Sequence, residues 1–112
     1  FKLFNTQALP SVTSGSLQKE VTGLTPNPNQ LTVGTFNVEN LDPNDGDTKF
    51  NNIANRIVNN LKAPDIITIE EIQDNNGATN DSEVDASLTY QTLIDAIAAA
   101  GGPLYQFHDI PP

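Results

Sequence analysis

The hydrophobic pattern of residues 31–72 changes character twice, and that change restricts the chain to layered folds that mix strand and helix. From Leu31 to Val38 the residues alternate, with Leu31, Val33 and Thr35 on one parity and Thr32, Gly34, Phe36 and Val38 on the other. A strand sends successive side chains to opposite faces, so this alternation, rich in β-branched residues, predicts one. Further on the period becomes helical. Phe50, Ile53, Ala54, Ile57, Val58 and Leu61 form one apolar stripe that closes before Pro64, a residue that cannot continue a helix. Asp65–Ile72 then opens as a near-continuous apolar run, which predicts a strand buried on both faces of a layered α/β core.

The flanks extend this pattern. Asp42-Pro43-Asn44-Asp45-Gly46-Asp47 is a turn cluster in which Asp47 is placed to cap the following helix. Polar residues 73–85 predict a loop. A second helix is expected over about 86–100, with Tyr90, Leu93, Ile94, Ile97 and Ala98 as its stripe and Gly101-Gly102 as its stop. Leu104–His108 has the composition of a third strand. Before residue 31, Phe1–Asn5 alternates like the end of an upstream strand, and Thr, Pro, Ser and Gly dominate to about residue 30. Residues 1–30 therefore read as a linker and the end of an upstream region, and residues 31–112 as the start of a domain. A β-α-β-α-β order leaves sheet edges that call for more strands, from the rest of a larger domain or from a second copy.

Charge narrows the function. A net charge of -9 and a pI near 4.1 argue against a free-standing nucleic-acid-binding module, which needs a basic surface to meet phosphates. Acidic clusters suit divalent cations instead. With no cysteine, neither disulfides nor thiolate metal sites are possible. The longest apolar run is too short to cross a bilayer, so no membrane anchor is expected. The chain opens on Phe1 with no signal-peptide pattern and reads as an internal or processed segment. Its 14 asparagines against 5 lysines and arginines lean toward an extracellular protein.

Two positions stand out chemically. Glu70-Glu71 closes an apolar strand, where carboxylates are costly to desolvate. Alternation would send the two side chains to opposite faces, one of them toward the crevice where α/β folds tend to bind ligands. Asn37 lies inside the first strand and needs hydrogen-bond partners if buried. It would either brace a loop or donate to a substrate oxygen.

These residues carry a resemblance. Thr32-Val33-Gly34-Thr35-Phe36-Asn37-Val38-Glu39-Asn40-Leu41, followed after one helix by Asp65-Ile66-Ile67-Thr68-Ile69-Glu70-Glu71-Ile72-Gln73-Asp74, resembles the two opening motifs of the endonuclease/exonuclease/phosphatase superfamily. The likeness is to its large secreted bacterial nucleases and covers residues 31 to about 110. It implies a four-layer α/β sandwich, two packed sheets between helices, of which this chain is the N-terminal portion. It implies that Glu71 is a Mg²⁺ ligand, with Mn²⁺ or Ca²⁺ as substitutes, and that Asn37 is an active-site residue near the metal and the scissile phosphate. Glu70 stands where many relatives have Gln, so no role passes to it. The implied substrate is nucleic acid, DNA or RNA. Such enzymes need a later His-Asp pair to activate water, and His108 does not match that histidine. Nuclease activity is therefore not expected of these 112 residues alone.

A calcium-binding or adhesive extracellular domain is the competing class, on the strength of Asp42–Asp47 and Asp74–Asp85. Neither segment fits an EF-hand. The first has Gly46 one position early and Ile53 where a bidentate Glu belongs, and the second has Thr79 at the glycine position.

Overall fold

The computed structural model describes residues 2, 4–8 and 10–109. A strand β1, Val33–Leu41, leads through a short 3₁₀ turn at Pro43–Asp45 into helix α1, Gly46–Asn55. A five-residue π-turn, Arg56–Asn60, ends that helix; strand β2, Ile66–Ile72, and helix α2, Ser87–Ala99, follow. The two strands are parallel and in register from Val33 opposite Ile66 to Asn37 opposite Glu70. The chain is thus a small α/β unit of two parallel strands and two helices, with β1 and β2 joined by a helical crossover as parallel strands require.

One face of the sheet makes the core. Phe36 and Val38 of β1 and Ile67 and Ile69 of β2 meet Phe50, Ile53, Ala54 and Ile57 of the first helical segment and Leu93 and Ile97 of α2. The expected stripes account for these contacts, since each helix buries the residues its 3.6 period places on one side. Thr89 is also fully buried. Its hydroxyl reaches the Asp74 carbonyl at 3.4 Å, so it serves the α2 face as a small, satisfied core residue that an apolar stripe does not reveal.

Four expectations are corrected. The second strand is not buried on both faces, because Ile66 and Val33 are 48% and 61% exposed on the side away from the helices, and Thr35, Thr68, Asn37 and Glu70 share that open side. Leu104–His108 forms no strand; aromatic contacts hold it instead. The Tyr105 hydroxyl donates to the Pro64 carbonyl, and Phe107 stacks on Tyr90 with centroids 4.8 Å apart. Asp47 is not the cap. Asp42 accepts from the Asn44 amide at 2.6 Å and Asp45 accepts from the Asp42 amide at 3.0 Å, a reciprocal capping box completed by Pro43 at the first position of the turn. Finally, Lys2, Phe4 and Asn5 form no strand, while Phe1 and Leu3 of that expected element lie outside the described residues.

Candidate functional site

The carboxyl ends of β1 and β2 depart from regular strand geometry together. Between Asn37 and Leu41 the ladder advances four residues on β1 but only two on β2, since Asn37 pairs with Glu70 and Leu41 with Ile72. This is a β-bulge. Its backbone signature is left-handed: Glu39, Asn40 and Glu71 have φ of 57°, 53° and 62°, a region that costs a non-glycine residue about 1–2 kcal/mol. Two bonds from Gln73 lock the distortion. Its amide donates to the Leu41 carbonyl and its side chain to Asn40 Oδ1, both at 2.9 Å.

The distortion decides where the two glutamates go. In an unbroken strand Glu71 would face the helix layer with Ile67 and Ile69. With its left-handed backbone, both Glu70 and Glu71 are exposed and Ile72 packs against the core instead. The regular alternation that would have put Glu71 on the helix side is broken there, and both carboxylates are exposed. Burying a carboxylate among Leu, Ile and Phe side chains would cost more than the backbone strain that avoids it.

The three residues end differently. Asn37 is exposed; its Oδ1 accepts from the Glu39 amide at 2.8 Å, so it braces the bulge while its side-chain amide group remains a donor. Glu70 accepts from the Thr35 hydroxyl on the open face. No hydrogen bond or ion pair with the described residues engages the Glu71 carboxylate. The register brings Asn37 and Glu70 side by side and places Glu71 next along the chain. Thr35's hold on Glu70 is not evident from the sequence, because it depends on which residue of β2 lies opposite which residue of β1.

Around this end the backbone of Glu39 is tied to α1. Lys49 Nζ donates to the Glu39 carbonyl and to Asp45 Oδ2, both at 2.8 Å, and the Lys49 hydrogen bond holds the Asp45 carboxyl below its ordinary pKa of 3.8. A cleft of about 360 Å³ between the free edge of β1 and α1 is lined by Asn37, Glu39, Lys49, Asn52 and Arg56 among others. Among the described residues, no three His, Cys, Asp or Glu side chains converge as a closed metal cage would. The groups at the strand ends include the carboxylates of Glu39 and Glu71, neither engaged by a hydrogen bond or ion pair with the described residues, and the Asn37 side-chain amide. Such a set fits a hard cation held through one or two carboxylates and completed by water and substrate oxygens.

Most carboxylates of the acidic loops accept hydrogen bonds within their own loops, Asp47 excepted. Asp42 and Asp45 form the capping box, Asp74 accepts from the Asn76 amide, Asp81 from the Glu83 amide and Asp85 from the Ser87 amide and hydroxyl.

No family model matches the chain, and no curated protein or solved structure matches it either. No helix among the described residues is long and apolar enough to cross a membrane.

Proposed function

We propose that this chain is the N-terminal part of a secreted, divalent-cation-dependent phosphodiesterase with an endonuclease/exonuclease/phosphatase-type four-layer fold, acting on nucleic acid. One observation carries the reading. Three of the five left-handed non-glycine residues among those described, Glu39, Asn40 and Glu71, stand at the carboxyl ends of two parallel strands, the place where open α/β sheets take their ligands. That backbone leaves the Glu71 carboxylate exposed there, one residue along the chain from Glu70, which pairs with Asn37. The two motifs whose order and spacing resemble that superfamily end on these same residues, which supports the class of chemistry.

In this reading Glu71 would hold Mg²⁺, which would supply Lewis-acid polarisation of the phosphate and charge neutralisation at the leaving oxygen. Asn37 keeps its side-chain N–H group directed toward a phosphate oxygen because its carbonyl oxygen is occupied by Glu39. Thr35 holds Glu70 on the open face. The group that activates water comes from outside these 112 residues, so the chain alone binds the cation without cleaving substrate.

The test is paramagnetic broadening of amide resonances by Mn²⁺ at millimolar concentration, with Mg²⁺ as competitor. Broadening centred on residues 37–40 and 70–72, displaced by Mg²⁺ and lost in Glu71→Gln, is expected. Broadening centred on 42–47 or 74–85 and indifferent to Glu71→Gln would replace this reading with a calcium-binding extracellular module.

A further inference from the structure

We infer that residues 20–26 are a strap docked on the amino-terminal end of the sheet, clasped there by Asn60. The helical segment that ends at Asn60 leaves its last carbonyls without intrahelical partners, as every helix does. An α-helical carbonyl accepts from the amide four residues on, and four residues beyond Asn60 stands Pro64, which has no N–H to give. The turn loosens into wider bonding, i→i+5 from the Leu61 amide to the Arg56 carbonyl and i→i+6 from the Ala63 amide to the Ile57 carbonyl, both at 3.0 Å. Lys62 and Ala63 then take left-handed backbone angles of 63° and 46° to turn the chain into β2.

The strap supplies the missing donor from a distance of 38 residues in sequence. The Thr22 amide donates to the Asn60 carbonyl at 2.8 Å, and Asn60 Nδ2 donates in return to the Glu20 carbonyl at 2.7 Å. One residue therefore brackets Val21 from both sides, using a main-chain acceptor and a side-chain donor. Thr22 and Asn60 are both half-buried. Beyond the clasp the chain passes over the start of the sheet, where Leu24 and Pro26 share a groove of about 190 Å³ with Val33, Gly34, Leu61 and Pro64. Gly34 and Pro64 pack closely beneath it, as a Cβ on Gly34 would lie 3.1 Å from the proline ring. Leu24 and Val21 remain 64% and 50% exposed, so apolar burial is slight and the polar clasp carries the contact.

The consequence is directional. The strap sits where the parallel strands begin, and Asn37, Glu70 and Glu71 sit where they end, roughly 13 to 17 Å away at strand rise. Residues before Glu20 are thereby led off at the end opposite the candidate cation site. A freely jointed segment would instead sample both ends.

Amide exchange and proteolysis of the full chain test this. In the unaltered chain the Thr22 amide should exchange at least about fivefold more slowly than the amides of Val21 and Gly23, the ratio one net hydrogen bond supplies. Asn60→Ala should raise both that exchange rate and trypsin cleavage after Lys19 by about fivefold, with cleavage after Lys2 unchanged. Equal exchange at the three amides of the unaltered chain would overturn the inference whether or not the variant folds. So would a folded Asn60→Ala chain whose Lys19 cleavage rate is unaltered.

Discussion

Glu71 occupies a backbone conformation that glycine would adopt without strain, yet it is a carboxylate at the end of an apolar strand. Glu71→Gly should therefore stabilise the fold by about 1 kcal/mol in urea unfolding, while abolishing the Mn²⁺ broadening at the strand ends. A loss of stability would mean that the side chain contributes to folding and that the strain has no separate use. Asp65 offers a second test. The Thr32 hydroxyl and amide both donate to it, at 2.6 and 2.8 Å, and with the hydroxyl as the larger influence they hold its carboxyl below the ordinary value of 3.8. A depressed folded pKa contributes stability above pH 3.8 that disappears as pH falls through the lower folded value. Asp45 and Asp85 are depressed as well, by Lys49 and by the Ser87 amide respectively. Stability should thus fall below about pH 4, and Thr32→Val should raise the Asp65 pKa, measured by carboxyl-carbon titration, and flatten that fall.

The elements were legible in proportion to how much of their burial is periodic. The α1 stripe placed Phe50, Ile53, Ala54 and Ile57 on the buried side, and the α2 stripe placed Leu93, Ile94 and Ile97 there. Asp42, Asp45 and Asp47 are all competent caps, and Pro43, which stands at the first position of the 3₁₀ turn, selects Asp42 as the cap of that turn, while α1 behind it has no side-chain cap. The same carboxylate explains a loop constraint. Gly77 has φ of +73°, and a Cβ there would lie 2.8 Å from the Asp42 side chain. Gly101 is also left-handed, with open space around it. Both substitutions to alanine should cost about 1–2 kcal/mol for the backbone. Gly77→Ala should cost measurably more than Gly101→Ala in denaturant unfolding, since only there must the capping box also shift.

At the scale of the whole molecule the core is thin. Among the described residues ten hydrophobic ones are buried, and the radius of gyration is 18.1 Å, against about 13 Å for a compact chain of this length. The extended residues before β1 and the uncovered sheet face account for the difference. A two-stranded sheet with one bare face is marginal by itself, which fits the proposal that a second sheet covers Val33, Thr35, Ile66 and Thr68 in the complete domain. Val33→Lys and Ile66→Lys should then change the stability of these 112 residues by less than about 0.5 kcal/mol. In a longer chain that carries the rest of the domain, the same changes should cost about 2–5 kcal/mol, read as a drop in melting temperature.

The sequence by itself determined β1, β2, the two helical stretches and their order, together with most of the residues that face the helices, because burial repeats with the period of each element; it also suggested strands at 1–5 and 104–108 that the described residues do not form. It also marked Asn37 and Glu71. Only the tertiary structure decided that Asn37 lies opposite Glu70, that both glutamates turn outward at a left-handed kink, and that Asn60 holds residues 20–22. Each of these depends on register or on contacts between residues about 33 to 40 apart, which no local pattern of hydrophobicity or turn chemistry specifies.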